Sequence, residues 1–354
     1  RDLVRSRGLG DVYKRQGGEI MFKRRLSIFM AAMGVAFSLV ACSGAKTADT
    51  KSADTSSAET KTVEETTKSE AKSEGTDKKN VVVTTSFLQD MVEQLAGDTV
   101  NVELIIPAGE DPHLYVAKPE DYTKLSLADL TLYHGLHFEG KMVDALEAGG
   151  VAVSKDFPKD RIGTMDEGGE IITDPHFWFD IDLYKMAVGV AATSLENLNP
   201  EYKDKYEENK VKYLDELTKL DKYVRENISS IPKESRYLIT PHDAFNYFSR
   251  AYDIEVKAPQ GVSTESEVAN QDIQETIDFI VEHKIKAIFA ESTTDPARME
   301  KLKEGAAAKG ADVKIVSGEG NELFSDSLAP KGQDGDTYID MYKHNVKLIT
   351  ENLK

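Results

Sequence analysis

The chain has 354 residues, of which 40% are apolar, with 44 Lys and Arg against 62 Asp and Glu, a formal charge of −18. That length suits two cores rather than one. The acidic balance argues against nucleic acid as a partner, because phosphate contacts need clustered Lys and Arg, and a single cysteine excludes an internal disulfide framework or a Cys-rich metal centre.

Residues 1–20 read as non-native, translated upstream sequence, since the first methionine is Met21. From there the pattern is that of a secretion signal over 21–41. Lys23, Arg24 and Arg25 form a basic start, and the uncharged run 26–40 is too short and wrongly flanked for a membrane span. It ends in Leu39-Val40-Ala41-Cys42, which resembles a bacterial lipobox and predicts lipidation of Cys42, with the protein anchored at the outer face of the cytoplasmic membrane. Residues 1–41 hold 8 of the basic and 3 of the acidic residues, leaving 36 against 59, a formal charge of −23. Residues 42–80 are Thr, Ser, Lys, Glu, Ala and Asp with almost nothing to bury, and read as a disordered tether.

Order is expected from Val81. Strand-like runs at 81–87, 102–106, 130–133 and 151–153 alternate with helical patterns after Leu88, over 138–148 and over 181–198. Asn199-Pro200 offers a cap and a first-turn proline. Apolar residues from Tyr202 through Tyr206, Tyr213, Leu217, Leu220 and Val224 to Ile228 then keep one helical face for about 30 residues, until Pro232. At about 1.5 Å per residue this helix would run roughly 45 Å. A second strand–helix series follows, with strands at 237–240, 254–257, 287–290 and 313–316, helices at 245–251, 271–283 and 297–309, and a final helix at 337–353. The expected fold is α/β: two lobes with mostly parallel sheets, 81–198 and 233–354, joined by a connecting helix over 199–232.

Three of the seven histidines share a setting. His113 and His176 each follow Asp-Pro, and His242 follows Thr-Pro after a strand-like run. Proline holds the residue before it extended, so no helix begins ahead of these histidines, and a loop at a strand's carboxyl end is where open α/β sheets place ligands. Imidazole suits zinc and other divalent first-row metals. Spacing by itself does not unite the three in one site. His134 and His137, in HGLH, read as a solvated pair, with a second metal contact as the alternative; His283 and His344 read as surface residues. Trp178 reads as packing that orients the His176 loop, and Glu291 as a supporting or surface acid.

The stretches GEDPHLYVAKPEDYTKLSLADL (109–130), HGLHFEGKM (134–142), DPHFWFD (174–180), TPHDAF (240–245), QGVSTESE (260–267), ELFSDSLAP (322–330) and GDTYIDMYKHN (335–345) resemble, in order, the zinc/manganese family of substrate-binding proteins of bacterial ABC importers. The resemblance spans 81–354 and implies metal ligands at His113, His176, His242 and Asp326, the last an ordinary loop acid without it. The family usually carries asparagine where this chain has His134, and the His-rich loop of many zinc-specific members is absent. Three imidazoles and a carboxylate accept zinc tetrahedrally; manganese is the main competitor. The resemblance further implies a non-enzymatic monomer that captures extracytoplasmic Zn²⁺ or Mn²⁺ as transported cargo and delivers it to the transmembrane subunits of an ABC permease. The other readings are a surface adhesin lipoprotein, a zinc-dependent hydrolase, and a haem or siderophore binder.

Overall fold

The computed structural model describes residues 78–354 apart from residue 168. The expected signal segment, Cys42 and nearly all of the tether lie outside the described residues. Among those described, no helix is long and apolar enough to cross a membrane.

The chain begins β1 (Lys79–Val83), α1 (Ser86–Ala96), β2 (Val100–Leu104), α2 (Pro119–Leu127), β3 (Leu130–Tyr133), α3 (Val143–Glu147) and β4 (Val151–Ala152). The four strands form one parallel sheet in the order β2-β1-β3-β4, with Val81 in register with both Val102 and Leu130. Val81 and Val83 are fully buried, as expected of a central parallel strand covered on both faces. β1 starts at Lys79, two residues before the reading from hydropathy. The sequence reading assigned no helix to the residues of α2; Pro119 at its first turn, with Glu120 and Asp121 behind it, is the signal.

An antiparallel hairpin follows, β5 (Thr164–Glu167) and β6 (Glu170–Thr173), which the sequence reading did not contain. Its signal is Gly168-Gly169 between two short runs, and Gly169 sits at φ +94°. Then come α4 (Ile181–Leu198) and α5 (Lys203–Ser229). The Asp180 carboxylate starts α4, accepting from Asp182 N (3.0 Å) and Leu183 N (3.2 Å) while Arg161 pairs with it at 2.8 Å. The long helix is confirmed at 27 residues, roughly 40 Å. Its predicted first turn is instead a short 3-10 turn, Pro200–Tyr202, and Asn199 makes no side-chain cap there; its amide donates to the Tyr206 hydroxyl at 3.3 Å.

The second series is β7 (Tyr237–Ile239), α6 (Asn246–Tyr252), β8 (Glu255–Lys257), α7 (Asn270–Glu282), β9 (Ala287–Phe289), α8 (Ala297–Ala308), β10 (Lys314–Val316) and α9 (Tyr338–Leu353). β7 pairs with β8 and β9 with β10, both parallel. Ile239 and Ile288 share a small aliphatic core with Ile280, Met299 and Leu302. The last helix returns to pack on α5 and α1. Tyr338 stacks face to face on Tyr184 at 3.7 Å, and the Tyr338 and Tyr342 hydroxyls donate to the Trp178 and Phe179 carbonyls. One large core therefore runs through α1, α4, α5 and α9.

Candidate metal centre

The two Asp-Pro-His tripeptides fold alike. Asp111 Oδ1 accepts from His113 N at 2.9 Å, and Asp174 Oδ1 accepts from His176 N at 3.0 Å. Each aspartate thus closes a local turn that fixes its histidine two residues on. His242 is held differently: the Thr240 hydroxyl donates to its carbonyl at 2.9 Å, and a single β-bridge ties it to Gln260.

These three histidines converge with Asp326. One nitrogen or oxygen from each of His113, His176, His242 and Asp326 lies within 4.8 Å of every other. His113 is 3% exposed and the other three are fully buried. Asp326 Oδ1 lies 3.3 Å from His176 Nε2, and Oδ2 lies 3.1 Å from His242 Nε2. Neither contact is a hydrogen bond, and all three Nε2 atoms and both Asp326 oxygens are buried without a hydrogen-bond partner. Buried polar atoms without hydrogen bonds, gathered this closely from four residues, are costly unless something bonds them. Lone pairs of imidazole and carboxylate fit a divalent cation.

Behind the donors, Asp174 Oδ1 lies 2.8 Å from His176 Nδ1, and a Glu291 carboxylate oxygen pairs with His242 Nδ1. An Nδ1–H bonded to a carboxylate leaves the Nε2 lone pair free for a metal. Glu291 is buried and so is not a surface acid; Ser325 Oγ donates to it at 3.2 Å. Burial lowers the histidine pKa values and, outweighing the pull of the Asp326 charge at His113, brings it to about 3. At His176 burial is outweighed by the Asp174 and Asp326 carboxylates, which raise it to about 9. His242 is likewise raised, with Glu291 and Asp326 overcoming burial, while the two imidazoles keep Asp326 well below the usual carboxylate range despite its own burial.

Asp326 is placed by its neighbours. Trp178 Nε1 donates to the Ser325 carbonyl at 2.9 Å, and Gly109 N donates to Ser327 Oγ at 2.7 Å. Trp178 also meets His176 edge-on at 5.2 Å and packs on Phe87, so its packing role covers both the His176 loop and the Asp326 loop.

The solvated reading of His134 is overturned. Only His137 is exposed; His134 is fully buried among Phe87, Phe138, Phe177 and Trp178, with Nε2 2.7 Å from Thr85 Oγ1. The HGLH pair failed as a solvated unit because Leu136 and His137 turn at positive φ, sending the two rings apart. Neither joins the four convergent donors. His283 and His344 are half-buried rather than free: His283 stacks on Phe279, and His344 Nε2 lies 2.9 Å from the Glu322 carbonyl.

Beneath His134, Glu139 is fully buried and accepts from His134 N (2.6 Å) and Thr84 Oγ1 (2.8 Å). Burial outweighs these donors and pushes its pKa to about 7 from the usual 4.5. A carboxyl raised on folding loses stability as pH climbs from its unfolded to its folded value, and the cost is constant above that. The shift corresponds to about 3 kcal/mol. Glu139→Gln is therefore expected to be more stable than wild type at pH 8 by that order, with the gain vanishing near pH 4; urea unfolding at both pH values checks it.

A mostly parallel α/β fold crossed by one long helix, with buried His and Asp donors converging, defines a metal-binding protein of the substrate-binding class. The family profile described as zinc-uptake complex component A, periplasmic (ZnuA), matches residues 81–352, and the chain belongs to that family. The manganese-binding lipoprotein MntA of Bacillus subtilis (strain 168) is 40% identical over 279 residues, covering 77% of this chain and 89% of the relative. The zinc-binding protein TroA of Treponema pallidum (strain Nichols) is 40% identical over 289 residues, covering 80% and 92%. A solved structure of that periplasmic protein superposes with a TM-score of 0.74, covering 78% of this chain and 99% of the other.

Proposed function

We propose that this chain captures a divalent first-row metal ion outside the cytoplasm and presents it to the transmembrane subunits of an ABC permease, the ion being cargo. His113, His176, His242 and Asp326 are its ligands in this reading. The observation that carries it is the convergence of one donor atom from each of these four buried residues, none of their ligand-side atoms having a hydrogen-bond partner. Zinc fits three imidazoles and a carboxylate best. The two relatives above are named for manganese and for zinc at equal identity, and the donor chemistry is what favours zinc here. A fourth protein donor closes the position that a catalytic zinc keeps open for water, which supports binding rather than hydrolysis. Cys42 as lipid anchor, the 42–80 tether, a monomeric state, and lobes over 81–198 and 233–354 joined by 199–232 complete the reading. Relatives named as lipoproteins support the anchor.

Competitive titration of the metal-stripped protein tests this. Tight 1:1 zinc that manganese does not displace is the expected result; comparable occupancy moves selection to the permease, and binding of neither ion overturns the proposal. Behind the ligands, Asp174→Asn and Glu291→Gln are each expected to weaken zinc binding 10–100-fold, the usual cost of losing a carboxylate that orients a metal-bound imidazole. The same titration reads it.

A further inference from the structure

Donors this buried do not exchange an ion unless something moves. The loop 260–266 is built to be what moves. Its base is Gln260, bridged to His242, with its side-chain amide donating to the Thr264 carbonyl (2.9 Å) and the Ser266 carbonyl (2.6 Å). Those bonds close the loop into a compact unit. Its outer part is gripped by residues far away in sequence. Asp111 Oδ2 accepts from Thr264 Oγ1 at 2.6 Å. Glu167 accepts from Val262 N at 2.9 Å through one oxygen and from Ser266 Oγ at 3.4 Å through the other.

Glu167 ends β5, and β6 runs from the same hairpin into Asp174-Pro175-His176. The hairpin thus joins the His176 loop at one end and holds the loop next to His242 at the other. The fit at its tip is close. A Cβ on Gly261 would lie 2.0 Å from Glu167 Oε1, so a side chain there would push the carboxylate off. The loop also faces a cavity of about 320 Å³ whose walls include Val262 and Ser263 on one side and His113 and Pro175 on the other. The cavity thus reaches His113, whose Nε2 stays buried behind it. A second cavity, about 410 Å³, lies against Glu167 and Gly261 and touches none of the four donors.

We infer that Glu167 is a positioning residue for metal retention: it latches the 260–266 loop over the His113 side of the centre, and opening of that latch sets how fast the ion leaves. The inference rests on the metal-capture reading. It assigns a task to the hairpin, which the ligand set leaves without one.

The test is stopped-flow release of zinc to a chelator from the full chain, with amide exchange at Val262 followed in the metal-free protein. In Glu167→Ala, release is expected to speed up about ten-fold, the low end for losing a hydrogen bond to a charged, half-exposed acceptor. Association should stay within about two-fold of wild type on that scale, and Val262 exchange should rise. Glu167→Gln keeps an oxygen for Val262 N and should hold release within about three-fold of wild type by the same reasoning. Gly261→Ala, which keeps the Glu167 side chain but displaces its carboxylate, should mimic Glu167→Ala. Wild-type release rates in both alanine variants overturn the latch, as does faster Val262 exchange without faster release. A wild-type protein that takes up no zinc overturns the capture reading itself, a different result from zinc bound and released at an unaltered rate.

Discussion

Replacing Asp326 with alanine is expected to weaken zinc binding by about three orders of magnitude. Breaking a buried charge pair costs about 3–5 kcal/mol, and each 1.4 kcal/mol is a factor of about ten in affinity. Asp326 is the sole anion among the four donors, and both of its oxygens lie within 3.3 Å of a histidine Nε2. Without it, the His176 and His242 rings, which meet edge-on at 5.4 Å, have no charge between them. Burial then acts on both imidazoles with less opposition. Asp326→Asn keeps the volume and loses the charge, so it should fall nearly as far; a purely steric role for the side chain predicts that asparagine rescues binding. Competition titration against a chelator of known affinity separates the two, and unaltered affinity in both variants removes Asp326 from the site.

What made Asp326 hard to see without the family resemblance is physical. Nothing local marks it. Its position is created by Trp178, 147 residues before Ser325 in the chain, and by Gly109, 218 residues before Ser327. The long helix was legible for the opposite reason. Its burial is one-sided and periodic, so Tyr206, Tyr213, Leu217, Leu220, Val224 and Ile228 announce it within 23 residues of sequence, and all six are buried. The Asp-Pro-His repeats were legible as loops because proline and a turn-closing aspartate act over two residues. The β5–β6 hairpin was not, since its pattern is weak: Ile171, the residue that should face a core, is exposed, and only Gly168-Gly169 marks the turn. His134 was misplaced because its aromatic surroundings come from residues 87, 138, 177 and 178, three of them far from it in the chain. Local periodicity survives into the fold unaided; a side chain's partners across the core do not show in its neighbours.

Acid is expected to cost this protein its metal far more steeply than one titrating histidine would. In the metal-free protein at pH 7, His113 is neutral because burial holds it at about 3, so zinc displaces no proton there. His176, raised to about 9, and His242, raised likewise, carry protons that a metal must remove from Nε2 while Nδ1 keeps its bond to Asp174 or Glu291. Asp326, lowered by the same two imidazoles, stays ionised throughout. Binding therefore releases about two protons per ion at pH 7, and affinity rises with pH until His176 is itself deprotonated. The sign follows from the raised values: protons occupy the donors below them and compete with the metal. Two displaced protons correspond to about a hundred-fold per pH unit, or roughly 10⁴ between pH 8 and pH 6. Zinc titrations at pH 6, 7 and 8, with proton release followed in weak buffer, measure the slope directly. A slope of one proton would mean that a single proton bridges the two histidines through Asp326, and a slope of zero would mean that neither imidazole is protonated before the metal arrives. The predicted slope also gives the carboxylates behind the ligands a second task. Asp174 and Glu291 orient the imidazoles for the metal, and by raising their pKa values they strengthen the proton as its competitor, so a protein meeting an acidic surrounding would surrender its cargo without any change in the ligand set.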